Sequence, residues 1–220
     1  MAVFEKSQRL RHVGHLDIMR AMQRALRRSG LPVSYSNGFN PHILLTFASP
    51  LSVGAIGKRE LMEVTLYEEV TPEAFLTAMN QALPPEMQLS EAKVLEDKHP
   101  ALMSMVKAAR YDILPDDKTA AERWAACLPS YLAQESIMTM KKTKSGMKET
   151  DIRPMIDELS CKNGHLQAVL ALSATDTCKP DMLLSTLCDF ASCPVPRVTL
   201  TREGLLGEDE EGHLVPLETL

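Results

Sequence analysis

Arg20, Arg24, Arg27 and Arg28 recur at i, i+4, i+7 and i+8 within HLDIMRAMQRALRR. At about 100° per residue they fall on one face of a helix, opposite Ile18, Met19, Met22, Ala25 and Leu26. A guanidinium offers a planar fork of donors that matches phosphate or carboxylate oxygens, which an ammonium does not. Such a face suits an RNA backbone or another anionic ligand. The plainer reading is a solvated face, with Arg27 and Arg28 placed at the negative end of the helix dipole. Asp17 lies one turn before Arg20, within reach of an ion pair.

A second polar group follows in SYSNGFNPHILLTF, residues 34–47. Asn37-Gly38 suits a turn with positive φ, and Pro41 fixes the chain after Asn40. The turn holds Asn40 and His42 at its exit, behind Tyr35. One supersecondary unit thus carries His15, Asp17, Tyr35, Asn40 and His42. Folding the loop back over the helix start would gather them into a polar pocket beside the arginine face. As a bare pattern, Asn40 reads equally well as capping its own turn, and His15 as a structural histidine at a helix start.

The elements that position these residues follow from periodicity and punctuation. Residues 2–13 read as extended. The arginine helix spans about Leu16 to Ser29 and ends at Gly30-Leu31-Pro32, where Gly past the last turn and then Pro forbid continuation. VSYS, ILLTFASPL and ELMEVTLYEEV read as strands. Thr71-Pro72-Glu73 opens a second helix, with Thr as cap and Pro at the first position, and MQLSEAKVLE closes the unit as a strand. The second half repeats the plan. AARYDILPD is a strand, DKTAAERWAACLPSYLAQE a helix, and SIMTMKKTKS, TDIRPMIDEL and HLQAVLALSA follow. Lys179-Pro180-Asp181 then starts a helix before PRVTLTREGL. The expected fold is α+β, a tandem ferredoxin-like (βαββαβ) duplication with antiparallel sheets. The expected organisation is 1–97, an N-terminal half with the basic helix and GFNPH loop; 98–206, a C-terminal half; and 207–220, a loosely ordered acidic tail.

Composition bounds the function. The chain has 220 residues, a net charge of −5 and 24% charged residues, as in an ordinary globular protein. Residues 1–60 hold nine Lys or Arg against three acids, whereas the last 18 residues hold six acids and no Lys or Arg. A basic head on an acidic body points to an anionic ligand. No apolar run approaches the ~20 residues of a membrane span, and MAVFEKSQRLRHVG lacks a signal-peptide core. A cytoplasmic protein is expected. The five cysteines form no CxxC, and no HxH or HExxH occurs. Neither a disulfide frame nor a metal site is expected. Without GxGxxG or a P-loop, no nucleotide cofactor is expected either.

The run GHLDIMRAMQRALRRSGLPVSYSNGFNPHILLTF, with SPLSVG after it, resembles the DUF2344 family of radical-SAM-linked proteins. The family's mark is a Ser-His-Leu-Asp-Leu-x-Arg helix start, then Arg-Arg-x-Gly-Leu-Pro and a Tyr-Ser-x-Gly-Phe-Asn-Pro-x-Pro loop. The resemblance reaches to about Leu205. It picks out His15, Asp17, Arg20, Arg27, Arg28, Tyr35, Ser36, Gly38, Phe39, Asn40 and Pro41, then Pro50, Gly54, Glu60, Asp151, Arg153 and Arg197. Gly14 stands where the family has serine, and Ile43 where it has the loop's second proline. The resemblance implies a radical-SAM partner on a separate chain, because this sequence has no CxxxCxxC, and a setting in RNA modification or ribosome assembly.

Three functions are compatible with these residues. The first is an RNA-binding accessory protein, its arginines on phosphates and Tyr35 or Phe39 stacked on a base. The second is an RNA-processing or RNA-modifying enzyme, with His15 and His42 as an endonuclease's acid and base, or Asp151 in TDIRP as a pseudouridine-synthase-like aspartate. The third is a protein-docking module. The residues themselves identify no catalytic group.

Overall fold

Ala2 and Phe4 point to one side of the first strand and Val3 to the other, and all three are buried, so this strand lies inside the fold. The computed structural model describes every residue except Asp97, Lys144 and Ser145. The strands are β1 (Ala2–Lys6), β2 (Leu45–Phe47), β3 (Ala55–Val64), β4 (Leu89–Ala92), β5 (Ala108–Pro115), β6 (Met138–Thr143), β7 (Gly146–Asp151), β8 (Ile156–Lys162), β9 (His165–Ala171), β10 (Val198–Glu208) and β11 (Leu214–Pro216). The helices are α1 (His15–Arg28), α2 (Pro72–Ala82), α3 (Leu102–Met105), α4 (Lys118–Leu132) and α5 (Pro180–Phe190). The architecture is α+β. Nine strands belong to one sheet, and β6 and β7 form a separate two-stranded ladder.

The chain divides into two compact units, Met1–Val106 with Gly207–Leu220, and Lys107–Leu206. The domain boundary expected after residue 97 falls on Asp97, outside the described residues.

In the first unit β1 lies between β4 and β3, and β2 pairs with the far end of β3, all antiparallel. Ile18, Met22, Ala25 and Leu26 of α1 and Phe75 and Met79 of α2 close the core over Ala2, Phe4, Phe47, Met62 and Leu89. The Thr71 hydroxyl accepts from the Ala74 amide at 3.3 Å and Pro72 takes the first position, so α2 begins as its sequence dictates.

In the second unit the order is β10-β5-β9-β8, again antiparallel. Trp124, Leu128 and Tyr131 of α4 and Leu183, Leu187 and Cys188 of α5 are buried. The Tyr131 hydroxyl meets Thr186 at 2.7 Å and ties the two helices together. Asp117 caps α4 by accepting from the Thr119 amide at 2.9 Å.

Local readings fail where tertiary partners are missing or unforeseen. The extended stretch 2–13 is a strand only to Lys6, followed by a 3₁₀ turn at Gln8–Leu10. VSYS makes two isolated bridges, Val33 to Leu66 and Tyr35 to Ile43, because β2 takes the pairing edge of β3. TDIRPMIDEL is not one strand: Thr150 and Asp151 end β7, and Arg153–Met155 is a 3₁₀ turn before β8, since Pro154 cannot donate to a ladder. The last two residues of KKTKS lie outside the described ones. The acidic tail is ordered: β11 pairs with β10, and Leu217 is buried.

Candidate nucleic-acid interface

Helix α1 starts at Gly14, which lacks a side-chain cap. Its apolar stripe is consumed by the core, which turns the arginines outward. Arg20 bonds Asp17 at 3.0 Å, on the surface. Arg28 reaches α2 and donates to the Ala82 carbonyl at 2.7 Å, satisfying an orphan acceptor at that helix's end. Arg24 and Arg27 are exposed and make no ion pair or hydrogen bond among the described residues. Of the four arginines, these two offer their full donor set to a ligand.

The loop 34–44 is a closed hairpin. The Ser36 amide donates to the His42 carbonyl at 2.8 Å, and the Leu44 amide to the Ser34 carbonyl at 2.9 Å. The Ser36 hydroxyl lies 2.8 Å from His42 Nδ1 and accepts from the His42 amide at 3.1 Å. Gly38 sits at φ 120°, in the region a side chain disfavours. These bonds present Phe39 at the tip with 105% relative exposure, and Tyr35 is also exposed. Asn40 makes no side-chain hydrogen bond among the described residues.

The residues of the expected pocket have contacts on different elements. His15 stacks edge-on against Phe47, centroids 5.2 Å apart, at the exit of β2, whereas His42 precedes that strand and bonds Ser36. Asp17 is bonded to Arg20, with no link to the loop.

A group the pattern did not reveal lies beneath the start of α1. A cavity of about 10 Å³, about the volume one water needs, is lined by Phe4, Lys6, His15, Phe47, Ser49 and Glu60, among others. Lys6 and Glu60 are only 2% and 3% exposed. The Lys6 ammonium donates to the Arg11 carbonyl at 3.0 Å, pinning the turn that precedes α1. Two charges buried this deeply in a small unit are costly to hold. The family resemblance marks Glu60, and nothing in the sequence marks Lys6.

Asp151, the residue considered as a catalytic aspartate, accepts from the Ile137 and Arg153 amides at 2.8 and 2.9 Å through one oxygen. Arg153 Nε donates to the Leu132 carbonyl at 3.0 Å. Both side chains brace the entry to β8. Arg197 is exposed, and the Gly54 amide donates to the Arg11 carbonyl at 2.6 Å, joining its own turn to the one before α1. Among the described residues no three His, Cys, Asp or Glu side chains group to hold a metal ion. No helix among them is long and apolar enough to cross a membrane.

Fold and surface together define an α+β protein with an outward arginine helix and a rigid aromatic-tipped hairpin. The family described as "Uncharacterized protein conserved in bacteria (DUF2344)" matches residues 1–180. The chain therefore belongs to the DUF2344 family. No curated protein matches it.

Proposed function

We propose that this protein is a non-catalytic RNA-binding accessory, working with a radical-SAM enzyme carried on a separate chain. The observation that carries the RNA reading is α1, where Arg24 and Arg27 stay unpaired in a chain of net charge −5. An acidic protein that leaves two guanidinium groups unneutralised on one helix face keeps them for an anion. Phe39 supports the nature of that anion. A fully exposed aromatic ring on a preorganised turn is a stacking surface for an unpaired base. The radical-SAM partner rests on the resemblance in GHLDIMRAMQRALRRSGLP and on the absence of CxxxCxxC, which leaves this chain without a cluster of its own.

We read both units as ferredoxin-like. The support is their strand order, β4-β1-β3-β2 in the first and β10-β5-β9-β8 in the second, with two helices inserted at corresponding places. On that reading β6 and β7 are a hairpin inserted between α4 and β8.

The test is a pulldown of tagged protein from its own cells, with and without ribonuclease, reading RNA and protein. Enriched ribosomal or transfer RNA that disappears in the Arg24→Ala/Arg27→Ala variant supports the proposal. A radical-SAM protein that survives ribonuclease, without enriched RNA, makes α1 a docking surface and ends the RNA reading.

A further inference from the structure

The register of the second unit aligns four polar residues across four strands: Thr201 of β10 opposite Asp112 of β5, Asp112 opposite Gln167 of β9, and Gln167 opposite Ser160 of β8. Directly opposed residues share a face. The alternate residues Tyr111, Ile113, Leu166, Ala168 and Leu170 are buried with α4 and α5 on the other side. The polar row therefore lies on the face away from the unit's own helices, where Thr201 and the neighbouring Val169 are buried and Gln167 is exposed. Beside it, His165 Nδ1 lies 2.8 Å from Asp112 Oδ2, with side chains 37% and 23% exposed. A carboxylate only accepts, so Nδ1 carries a proton, and in that tautomer of imidazole Nε2 is the acceptor. Nε2 has no partner among the described residues, and Gln167 is exposed.

We propose that this face is a second RNA contact that reads ribose hydroxyls. The inference rests on the RNA reading above. The row favours a neutral donor: Asp112 repels a phosphate, and Arg110 is drawn toward Glu158 at 3.9 Å. A 2′-hydroxyl donates to His165 Nε2 and accepts from the Gln167 amide, the pair of bonds that tells RNA from DNA. Asp112 positions the imidazole and does not touch the ligand.

The experiment compares binding of an oligouridylate about twelve residues long with its deoxyuridine counterpart, by fluorescence anisotropy on the full chain. The wild type binds the ribose form more tightly. His165→Ala and Gln167→Ala each cost about fivefold on the ribose form, the worth of one hydrogen bond, and leave the deoxy form unchanged. Arg24→Ala/Arg27→Ala weakens both forms alike. Equal wild-type affinity for the two forms overturns this inference and leaves the arginine reading standing. So does an unchanged ribose preference in both His165→Ala and Gln167→Ala. If the wild type binds neither form, both readings fail. Gln167 is exposed, so its variant keeps the test valid should His165→Ala fold poorly.

Discussion

Arg59 and Glu218 are 159 residues apart in the sequence and meet through a 2.6 Å bond from Nε to Oε1. The other edge of the same guanidinium holds Glu91 with bonds of 2.7 and 2.9 Å. Glu91 first, then Glu218, keep Arg59 firmly charged. The end of the chain is thereby fastened to β3 and β4, and Lys93 adds bonds to the Glu218 and Leu220 carbonyls at 3.2 and 2.9 Å.

Arg59→Met removes the shared cation and leaves Glu218, whose side chain is 10% exposed, without its charged partner. A loss of about 1.5–3 kcal/mol is expected, the range for a hydrogen bond to a charged group. Urea unfolding measures it, and Glu91→Gln, which removes only the more exposed arm, costs less.

Acid weakens the fold in a stated direction. Arg59 holds the Glu91 carboxyl below its ordinary value of 4.5, the Glu86 amide and Arg9 do the same for Glu86, and the His213 amide lowers Asp209. A lowered folded pKa gives stability that is present above the unfolded value and lost as pH falls through the folded one. The thermal midpoint should drop between about pH 5 and pH 3. In Arg59→Met the drop is shallower, because Glu91 no longer resists protonation.

The buried cysteines act at the other end of the scale. Burial pushes the Cys178 thiol up to about 12 and the Cys188 thiol up to about 11. Both stay protonated in the folded state after an unfolded thiol has ionised, so stability falls as pH rises above about 8.5. Alkylation of the native protein at neutral pH should spare both cysteines, and denaturant should expose them. Rapid labelling of either one in the native protein contradicts this burial.

Gly57→Ala tests the buried charges of β1 and β3. A Cβ at Gly57 would lie 2.6 Å from Glu60 Cγ and 2.7 Å from its Oε1. Glu60 is fixed inside the unit and cannot swing into solvent, so overpacking costs about 1–3 kcal/mol. Calorimetry measures the cost, and Glu60→Gln does not relieve it, since Gln has the same shape as Glu.

Arg24→Ala/Arg27→Ala leaves stability within about 0.5 kcal/mol, because neither side chain has a partner to lose. RNA affinity falls, and the slope of log K against log salt becomes shallower by about 0.7 for each phosphate contact removed. An unchanged slope with weakened binding means these arginines do not touch phosphate.

Several elements were legible in the residues alone. The stripe Ile18, Met22, Ala25 and Leu26 fixed α1 and its outward arginines, since burial of an apolar face needs only a period of 3.6. Thr71-Pro72 fixed the start of α2 for a local reason, a hydroxyl and a ring that satisfy a helix end wherever it lies. Asn37-Gly38 marked a turn, and the chain turns there.

What the residues could not decide were relationships between distant elements. His15 comes to pack on Phe47 of β2 and His42 to bond Ser36, contacts that no spacing in the sequence announces. Lys6 and Glu60 look like surface charges until β1 and β3 pair and the helices close over them. The row Thr201–Asp112–Gln167–Ser160 exists only once four strands adopt one register, and a shift of one residue would turn each member to the helices. The acidic tail read as loose because its composition is polar. It is ordered because Leu217 finds an apolar site and Glu218 finds Arg59, partners that only the folded chain brings within reach.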